Sequence, residues 1–398
     1  MSKEMKYSPI SLLLLLTALL LVACSDDTEQ DKRRTVTIKA QACSSSYYEE
    51  WPVGSYTRGD WTPPKTPVEN VDYSLFSELF QQQNSLVNKT IDAFFTQDGG
   101  DYQRGYFSYY QDKWQLISRD MEISGRYYLY GYIPKEDADG AAVGQIASKV
   151  YSEGAKLTLT GLNAITPSDV CVVVGAKRGL AEDNDDGLTT GQFSLDLTGE
   201  GESYIFLLFD HIYTALRFNF TVDATYDALR TIKLRKLHLT GYQDASETKI
   251  KSKYNAVITL EANETKDSPI KSVVFTPDNS SSDIGYVRLY EWDGVVNTET
   301  DKTREVILEY GKVTPFLGCF VPGQNTYFKL RSTYDVYDKS GNLIRKDATA
   351  ENIFDLRNKF STVTVERGHM YTLSVTVQPT YLYMLSEPDL DNPTVTLE

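Results

Sequence analysis

The sequence predicts an all-β protein whose strands pack as β-sandwiches, and two observations carry this prediction. Apolar and polar residues alternate with period two, most clearly in residues 216–222, where four apolar side chains face one way and three polar ones the other. Residues 371–377 repeat this alternation, and residues 155–160 and 255–260 do so less regularly. The second observation is that apolar residues recur at the intervals of three and four typical of a helix only in short stretches, at residues 74–80 and 224–230. Strands therefore dominate the predicted fold.

The chain begins with the features of a cleaved lipoprotein leader over residues 1–23. Lys3 and Lys6 precede an apolar run at residues 10–22 that is too short for a comfortable membrane span. The run ends in Leu21-Val22-Ala23-Cys24, which is similar to a bacterial lipobox. This similarity implies that cleavage before Cys24 leaves its thiol carrying diacylglycerol. An ordinary secretory peptide that happens to contain Cys24 is the alternative.

An acidic tether is expected after the leader, over residues 24–34. Residues 25–31 contain no apolar side chain, so they have nothing to bury in exchange for becoming ordered. The run also resembles the acidic signal that directs lipoproteins to the surface of Bacteroidetes-type bacteria. A plain linker explains the composition equally well.

Length and charge limit the organisation of the chain and its partners. The length of 398 residues and the hydrophobic content of 41% predict two domains after the leader. The break at residues 198–202 gives an N-terminal domain over 35–200 and a C-terminal domain over 201–398. The formal net charge of −15 argues against a nucleic-acid partner, because phosphate binding needs concentrated positive charge.

Further elements follow in order along the chain. A first strand is predicted at residues 35–40, and the proline-rich residues 44–67 predict an exposed irregular loop. A strand is predicted at 203–209. Within 231–240 the apolar residues change from even positions (Ile232, Leu234) to odd positions (Leu237, Leu239). One extra residue in the strand would explain this change, so a β-bulge is predicted near Arg235-Lys236.

The sequence offers no catalytic constellation, so we expect no enzymatic activity and no cofactor. The histidines are His211, His238 and His369, and none of them belongs to an HExxH motif. The chain also lacks a G-x-S-x-G elbow, a P-loop and a dinucleotide fingerprint. His211 could form a dyad with Asp210, but a structural hydrogen-bonded pair is the preferred interpretation.

No metal site is predicted either. The acidic loop at residues 182–187 partly matches a calcium loop, but its twelfth position is Phe193 rather than a bidentate glutamate. Cys43, Cys171 and Cys319 allow at most one intramolecular disulfide, and the sequence does not say whether any two of them pair. Cys171 is predicted to act as a small buried hydrophobe.

Several motifs together resemble the fimbrillin-like (Mfa-like) family of Bacteroidales, whose members are subunits of the type V pilus. The resemblance covers most of the chain after the leader and depends on the order of its motifs. They are the lipobox at Cys24, Trp61-Thr62-Pro63-Pro64 before residues 90–95, Phe209-Asp210-His211-Ile212-Tyr213 leading into Leu216-Arg217-Phe218, Pro379-Thr380-Tyr381-Leu382-Tyr383, and Pro388-Asp389-Leu390-Asp391-Asn392-Pro393.

This resemblance implies two transthyretin-like β-sandwich domains in tandem, anchored by lipid in the cell outer membrane and exposed on the surface as part of a fimbrium. It implies a structural or tip subunit that serves adhesion and polymerises with other pilin subunits, identical or different. In such pilins a trypsin-like surface protease cuts after an arginine and removes the first strand. A neighbour's C-terminal strand then fills the groove.

Within this scheme the cut is predicted between Arg58 and Gly59. Arg58 follows the first predicted strand and lies in the proline-rich stretch, and Gly59 leaves room for a protease. Cutting at Arg33 or Arg34 would remove only the tether. Arg104 and Arg119 are the other candidates, but cutting there would also strip away apolar segments.

The donor strand is predicted in residues 380–398, which follow the last long alternating strand. Two short extended runs there are separated by a turn. Their residues are Tyr381, Leu382, Tyr383, Met384 and Leu385 in the first run, and Thr394, Val395, Thr396 and Leu397 in the second.

The alternative function is a surface lipoprotein that binds glycans for a nutrient-uptake system. It would use the aromatic clusters at residues 127–130 and 381–383, because a flat ring with a polar tip suits stacking on sugars. Tyrosines in alternating strands are more often core and sheet-surface residues.

Overall fold

The computed structural model describes thirteen segments of the chain. The proline-rich loop, the predicted helix at 74–80, the acidic loop at 182–187 and the first donor run lie outside them. The described residues are 36–42, 90–110, 113–117, 125–133, 143–167, 169–179, 189–197, 203–263, 269–292, 305–323, 325–360, 365–380 and 389–397.

These segments form 22 strands and two short helices. The first eleven strands are β1 (Val36–Ala42), β2 (Thr90–Thr96), β3 (Gln103–Tyr110), β4 (Lys113–Ile117), β5 (Arg126–Ile133), β6 (Val143–Ala147), β7 (Gly154–Asn163), β8 (Ile165–Thr166), β9 (Cys171–Gly179), β10 (Ser194–Asp196) and β11 (Ser203–His211). The next are β12 (Thr214–Val222), β13 (Arg230–Tyr242), β14 (Lys253–Glu261), β15 (Ile270–Pro277), β16 (Val287–Glu291), β17 (Val306–Leu308), β18 (Thr314–Phe320), β19 (Tyr327–Asp338), β20 (Leu343–Asp355), β21 (Met370–Thr380) and β22 (Asp389–Leu397). The helices are α1 (Ala224–Leu229) and α2 (Leu356–Phe360).

The strands assemble into four sheets. An eight-stranded sheet runs in the order β1-β11-β9-β5-β2-β3-β4, with β10 also paired to β5. Two five-stranded sheets follow, one ordered β22-β21-β12-β18-β8 and the other β16-β13-β19-β20 with β17 paired to β13. A four-stranded sheet has the order β15-β14-β7-β6. The predicted all-β class is therefore confirmed, and the sheets pack face to face as in sandwiches.

The local patterns of the sequence form the predicted strands. In β12 the apolar residues from Leu216 to Val222 are buried, and the polar residues between them are partly exposed. β7, β14 and β21 show the same alternation. The pairing of β13 with β19 shifts register between Leu234 and Lys236, which confirms the predicted bulge. The extra residue in β13 is Arg235, whose guanidinium lies 4.8 Å from the ring centroid of Trp292.

Helix α1 confirms the short helix predicted at residues 224–230. Its N-cap is Asp223, whose side chain accepts hydrogen bonds from the backbone N–H groups of Thr225 and Tyr226. Tyr226 is fully buried and attaches the helix to the core.

Two apolar clusters lie on opposite faces of the eight-stranded sheet. Along β9, Val173 belongs to the smaller cluster, and Val172 and Val174 belong to the larger one. The strand is thus buried on both faces, which explains why its sequence is a continuous apolar run. Leu159 of β7 and Ile258 of β14 pack in the larger cluster with residues from both halves of the chain.

The predicted division into two domains at residue 200 stays a prediction. Backbone pairing crosses this position, because β11 lies between β1 and β9 in the first sheet. β14 also pairs with β7 across the same position. Separately, no helix in the described part of the chain is long and apolar enough to cross a membrane.

Candidate functional site: the β1 edge and a buried polar cluster

Strand β1 forms one edge of the eight-stranded sheet. It pairs in parallel with β11, and the register runs from Val36 opposite Ser203 to Ala42 opposite Phe209. Among the described strands, this is the one backbone partner that β1 has in the sheet. The first strand predicted at residues 35–40 is thus confirmed.

Strand β11 provides the surface to which β1 attaches. Its residues from Ile205 to Phe209 are all buried, with exposures of 1% or less. Ile205, Leu207 and Phe209 face the smaller apolar cluster, and Phe206 and Leu208 face the larger one. β11 is therefore the penultimate strand of the sheet but has the burial of a central one.

The second predicted donor run lies in another edge strand. Thr394 to Leu397 are part of β22, which pairs antiparallel with β21 of the same chain. Val395 is 6% exposed, whereas Thr394 is exposed and Thr396 and Leu397 are partly buried. The ammonium of Lys359 donates to the backbone carbonyl of Leu397 at 2.6 Å.

Arg104, one of the alternative protease sites, is held within the sheet. It lies in β3, which pairs with β2 on one side and β4 on the other. Its Nε donates to Asp92 Oδ1 at 3.0 Å, and its Nη2 donates to Asp92 Oδ2. A protease needs an extended chain in its cleft, and a strand paired on both sides does not offer one. The lipidation site Cys24 and the predicted cut between Arg58 and Gly59 lie outside the described residues.

A polar cluster is buried where β9 begins and β11 ends. Cys171 and His211 are direct cross-strand partners, and Asp169 precedes Cys171 by two residues. The Cys171 thiol donates to Asp169 Oδ2 at 3.3 Å, and its Sγ lies 3.3 Å from His211 Nδ1. The same Nδ1 makes a short hydrogen bond with Asp169 Oδ2. The side chains of His211 and Asp169 are 3% and 0% exposed.

The cluster corrects two expectations for these residues. His211 pairs with Asp169 rather than with Asp210, because neighbours in a strand point to opposite faces. Asp210 instead accepts a hydrogen bond from Arg367 Nη1 at 3.2 Å, and the same nitrogen donates to the backbone carbonyl of His211 at 2.9 Å. Cys171 is buried as predicted, yet its thiol is a hydrogen-bonded member of a polar group. Burial, together with the Asp169 carboxylate, raises the pKa of this thiol well above its usual value.

The sequence contained a signal for this cluster, but the spacing along the chain hid it. Asp169 and His211 are 42 residues apart, so no short motif contains both. The signal has two parts: Asp169 and Cys171 stand two residues apart where β9 begins, and His211 is the last residue of β11, the strand that pairs with β9. In the described part of the chain, neither Cys171 nor Cys319 forms a disulfide.

The aromatic clusters proposed for glycan binding are described only in part, because residues 381–383 lie outside the described residues. Tyr127 and Tyr130 are 6% and 0% exposed, so their rings lie in the core, whereas Tyr128 between them is partly exposed. His238 is half-buried on β13, and its pKa is lowered by burial. Its ring centroid lies 6.3 Å from that of Tyr286.

No protein-family model matches the sequence, and no curated protein matches it. Several solved structures are similar at low identity. A candidate cell adhesion protein from Bacteroides fragilis has 10% identity and a TM-score of 0.37, over 91% of this chain and 97% of that chain.

A fimbrial protein from Bacteroides ovatus has 12% identity and a TM-score of 0.28, over 88% of this chain and 52% of that chain. The fimbrial anchor protein Mfa2 from Porphyromonas gingivalis has 9% identity and a TM-score of 0.25, over 91% of this chain and 96% of that chain. At these scores no argument about function follows from the likeness. The structures to which the chain is similar are nevertheless described as cell adhesion and fimbrial proteins of Bacteroidales, the order whose fimbrillin-like proteins the sequence resembles.

Proposed function

We propose that this chain is a structural or tip subunit of a cell-surface fimbria and that it polymerises by protease-triggered strand exchange. The observation that carries the proposal is the position of β1. It is an edge strand, it pairs with β11 alone among the described strands, and Arg58 lies between it and β2 in the sequence. A cut after Arg58 would therefore separate β1 from the rest of the chain.

Loss of β1 would leave a groove suited to another strand. The backbone of β11 over residues 203–209 would present unpaired N–H and C=O groups along one side. Its side chains already pack on both faces, so the strand has no freedom to hide that edge. An unpaired edge of this kind accepts an added strand, whose backbone satisfies the exposed groups.

Cleavage would also change the thermodynamics of β1. While it is tethered, β1 meets β11 at an effective concentration on the order of millimolar. After the cut this advantage is lost, and the free segment dilutes into the medium. Each backbone hydrogen bond contributes only about 0.5–1.5 kcal/mol net, so a neighbour's strand held close by in a growing polymer can compete successfully.

In this proposal the donor is the C-terminal segment of the neighbouring subunit. Thr394 to Leu397 already form an edge strand, and one residue of this run, Val395, is buried. Within this run, detaching the strand from its own sheet would expose Val395 and Leu397, the two residues that pack against the larger apolar cluster. The anchorage proposed at the other end of the chain is the lipid on Cys24, which would hold the unprocessed subunit in the outer membrane.

The experiment is to sequence the N-terminus of polymerised protein recovered from cells and to repeat the recovery with variants. We expect polymers to begin at Gly59 and Arg58→Ala to give no oligomeric ladder after mild trypsin treatment. Arg34→Ala is the matched control, because Arg34 precedes β1 and a cut there leaves the strand in place. Polymers that still begin at Cys24, or a ladder that persists in Arg58→Ala, would contradict the proposed cut.

The donor is tested separately by deleting residues 381–398, which leaves β21 complete. We expect a folded monomer that is still cut but does not form a ladder. A truncated chain that polymerises normally would rule out the C-terminal donor, and one that fails to fold would show that β22 is part of the core. A glycan-binding lipoprotein would remain monomeric in all of these experiments.

A further inference from the structure

We propose that Asp169, Cys171 and His211 form a zinc-binding site that joins the start of β9 to the end of β11. The inference does not depend on the proposed fimbrial function. It starts from the pairing of β11 with β9, in which Cys171 lies directly opposite His211. Residues two apart in extended chain point to the same face, so Asp169 lies on the face of Cys171 and close to His211.

The ligand atoms converge as a zinc site requires. The three residues offer one donor atom each, all within 4.8 Å of one another. In a tetrahedral site, metal–ligand bonds of about 2.0–2.3 Å place neighbouring donor atoms about 3.3–3.8 Å apart. Cys171 Sγ lies 3.3 Å from both the His211 nitrogen and the Asp169 oxygen. The short Asp169–His211 hydrogen bond would give way to the metal.

A further donor atom is available at the same place. The second carboxylate oxygen, Asp169 Oδ1, is buried and accepts no hydrogen bond from any described residue. A buried polar atom in this state is costly unless it has a partner. Coordination through both oxygens of Asp169 would satisfy this atom and bring the number of donor atoms to four, in a site distorted from a tetrahedron because the two carboxylate oxygens lie close together.

Charge and ligand type both favour zinc. On binding, the Cys171 thiol releases its proton to solvent and coordinates as a thiolate. His211 stays neutral and coordinates through Nδ1, with its ring proton transferred from Nδ1 to Nε2 by way of solvent. The thiolate and the carboxylate then balance the two positive charges of Zn²⁺, so the buried complex is neutral. A mixed sulfur, nitrogen and oxygen set is typical of zinc, whereas magnesium and calcium prefer oxygen alone.

The surroundings hold the ligands in place. Arg367 Nη1 donates to the backbone carbonyl of His211, which fixes the end of β11 next to the site. The metal would therefore join β11 to β9, which lies on the opposite side of β11 from β1. The site is at the C-terminal end of β11, beyond residues 203–209 that pair with β1.

The test measures metal on the purified full-length chain and its variants. We expect about one zinc per chain by elemental analysis. After removal of zinc with a chelator, cobalt should bind with a thiolate-to-metal charge-transfer band and strong visible bands of a tetrahedral site. Cys171→Ser and His211→Asn should lose these bands, and zinc should raise the thermal midpoint of the wild-type chain but not of these variants. Far-ultraviolet circular dichroism reports whether each variant is folded.

Cys319→Ser is the matched control, since Cys319 is a buried cysteine that forms no disulfide and lies outside the three-residue group. It should keep the cobalt spectrum. A folded wild-type chain with no bound zinc and no cobalt bands would overturn the proposal, and this measurement needs no variant. Bands that survive in Cys171→Ser, or that disappear in Cys319→Ser, would overturn the assignment of the ligands.

Discussion

The ion pair between Asp92 and Arg104 gives the sharpest test of how the eight-stranded sheet is stabilised. The Asp92 side chain is fully buried, and that of Arg104 is 39% exposed. Arg104→Met keeps an apolar stem of similar size but removes the guanidinium, which leaves the carboxylate buried without its cation. Breaking a buried pair in this way typically costs about 3–5 kcal/mol.

The structure places the expected loss near the lower end of that range. Water can reach the position of the guanidinium and solvate the carboxylate in part, which reduces the penalty. Arg104 also lies 5.5 Å from the centroid of the Phe94 ring, and losing this cation–π contact adds about 0.5–1 kcal/mol. We therefore expect Arg104→Met to lower the free energy of unfolding by about 3 kcal/mol.

The assay is urea denaturation of the full-length chain followed by circular dichroism. Asp92→Asn combined with Arg104→Met should recover at least about 1 kcal/mol of the loss, because the amide carries no charge to desolvate. Arg331→Met is the matched control. Its partner is Glu351 at 3.5 Å, both side chains are 44% exposed, and the expected loss is below about 1 kcal/mol. Equal losses in Arg104→Met and Arg331→Met would refute the argument.

Three further predictions concern lipidation, reduction and alkaline pH. Cys24→Ala should abolish labelling by a fatty-acid probe and release the protein from the membrane; unchanged labelling would end the lipoprotein interpretation. Reduction by a phosphine should leave the melting temperature unchanged, because neither Cys171 nor Cys319 forms a disulfide, whereas a fall on the order of 10 °C would reveal a disulfide elsewhere in the chain. Burial raises the pKa of Tyr130 and Tyr334, so the unfolded chain loses these protons first and stability should fall as the pH rises above about 10. Tyr334→Phe should make the urea midpoint less dependent on pH in this range, and an identical dependence would contradict the burial argument.

Local patterns in the sequence were sufficient to predict individual strands. The alternation of apolar and polar residues in β12 and the bulge at Arg235 both depend on residues that are neighbours along the chain, and both appear in the structure. The edge position of β1 could not be predicted in the same way. A period-two pattern says which face of a strand is buried, but it does not identify the strand that will lie beside it.

The polar cluster was missed for the same reason. The sequence predicts Cys171 as a small buried hydrophobe and His211 as the hydrogen-bonded partner of its neighbour Asp210, so no pattern in it connects Cys171 with His211. Their meeting depends on the antiparallel register of β9 and β11, including the shift between Leu208 and Phe209. Sequence motifs span short stretches of chain, whereas Cys171 and His211 are brought together only by the pairing of two strands.

The parallel pairing of β1 with β11 has a consequence for the order in which the molecule folds. Val36 meets Ser203 across more than 160 intervening residues, so this contact closes one of the longest loops in the chain. Contacts of such high sequence separation form late, because the entropy of closing the loop must be overcome before they contribute. We expect β1 to be the last strand to join its sheet during synthesis and export, after the rest of the sheet has already become stable without it.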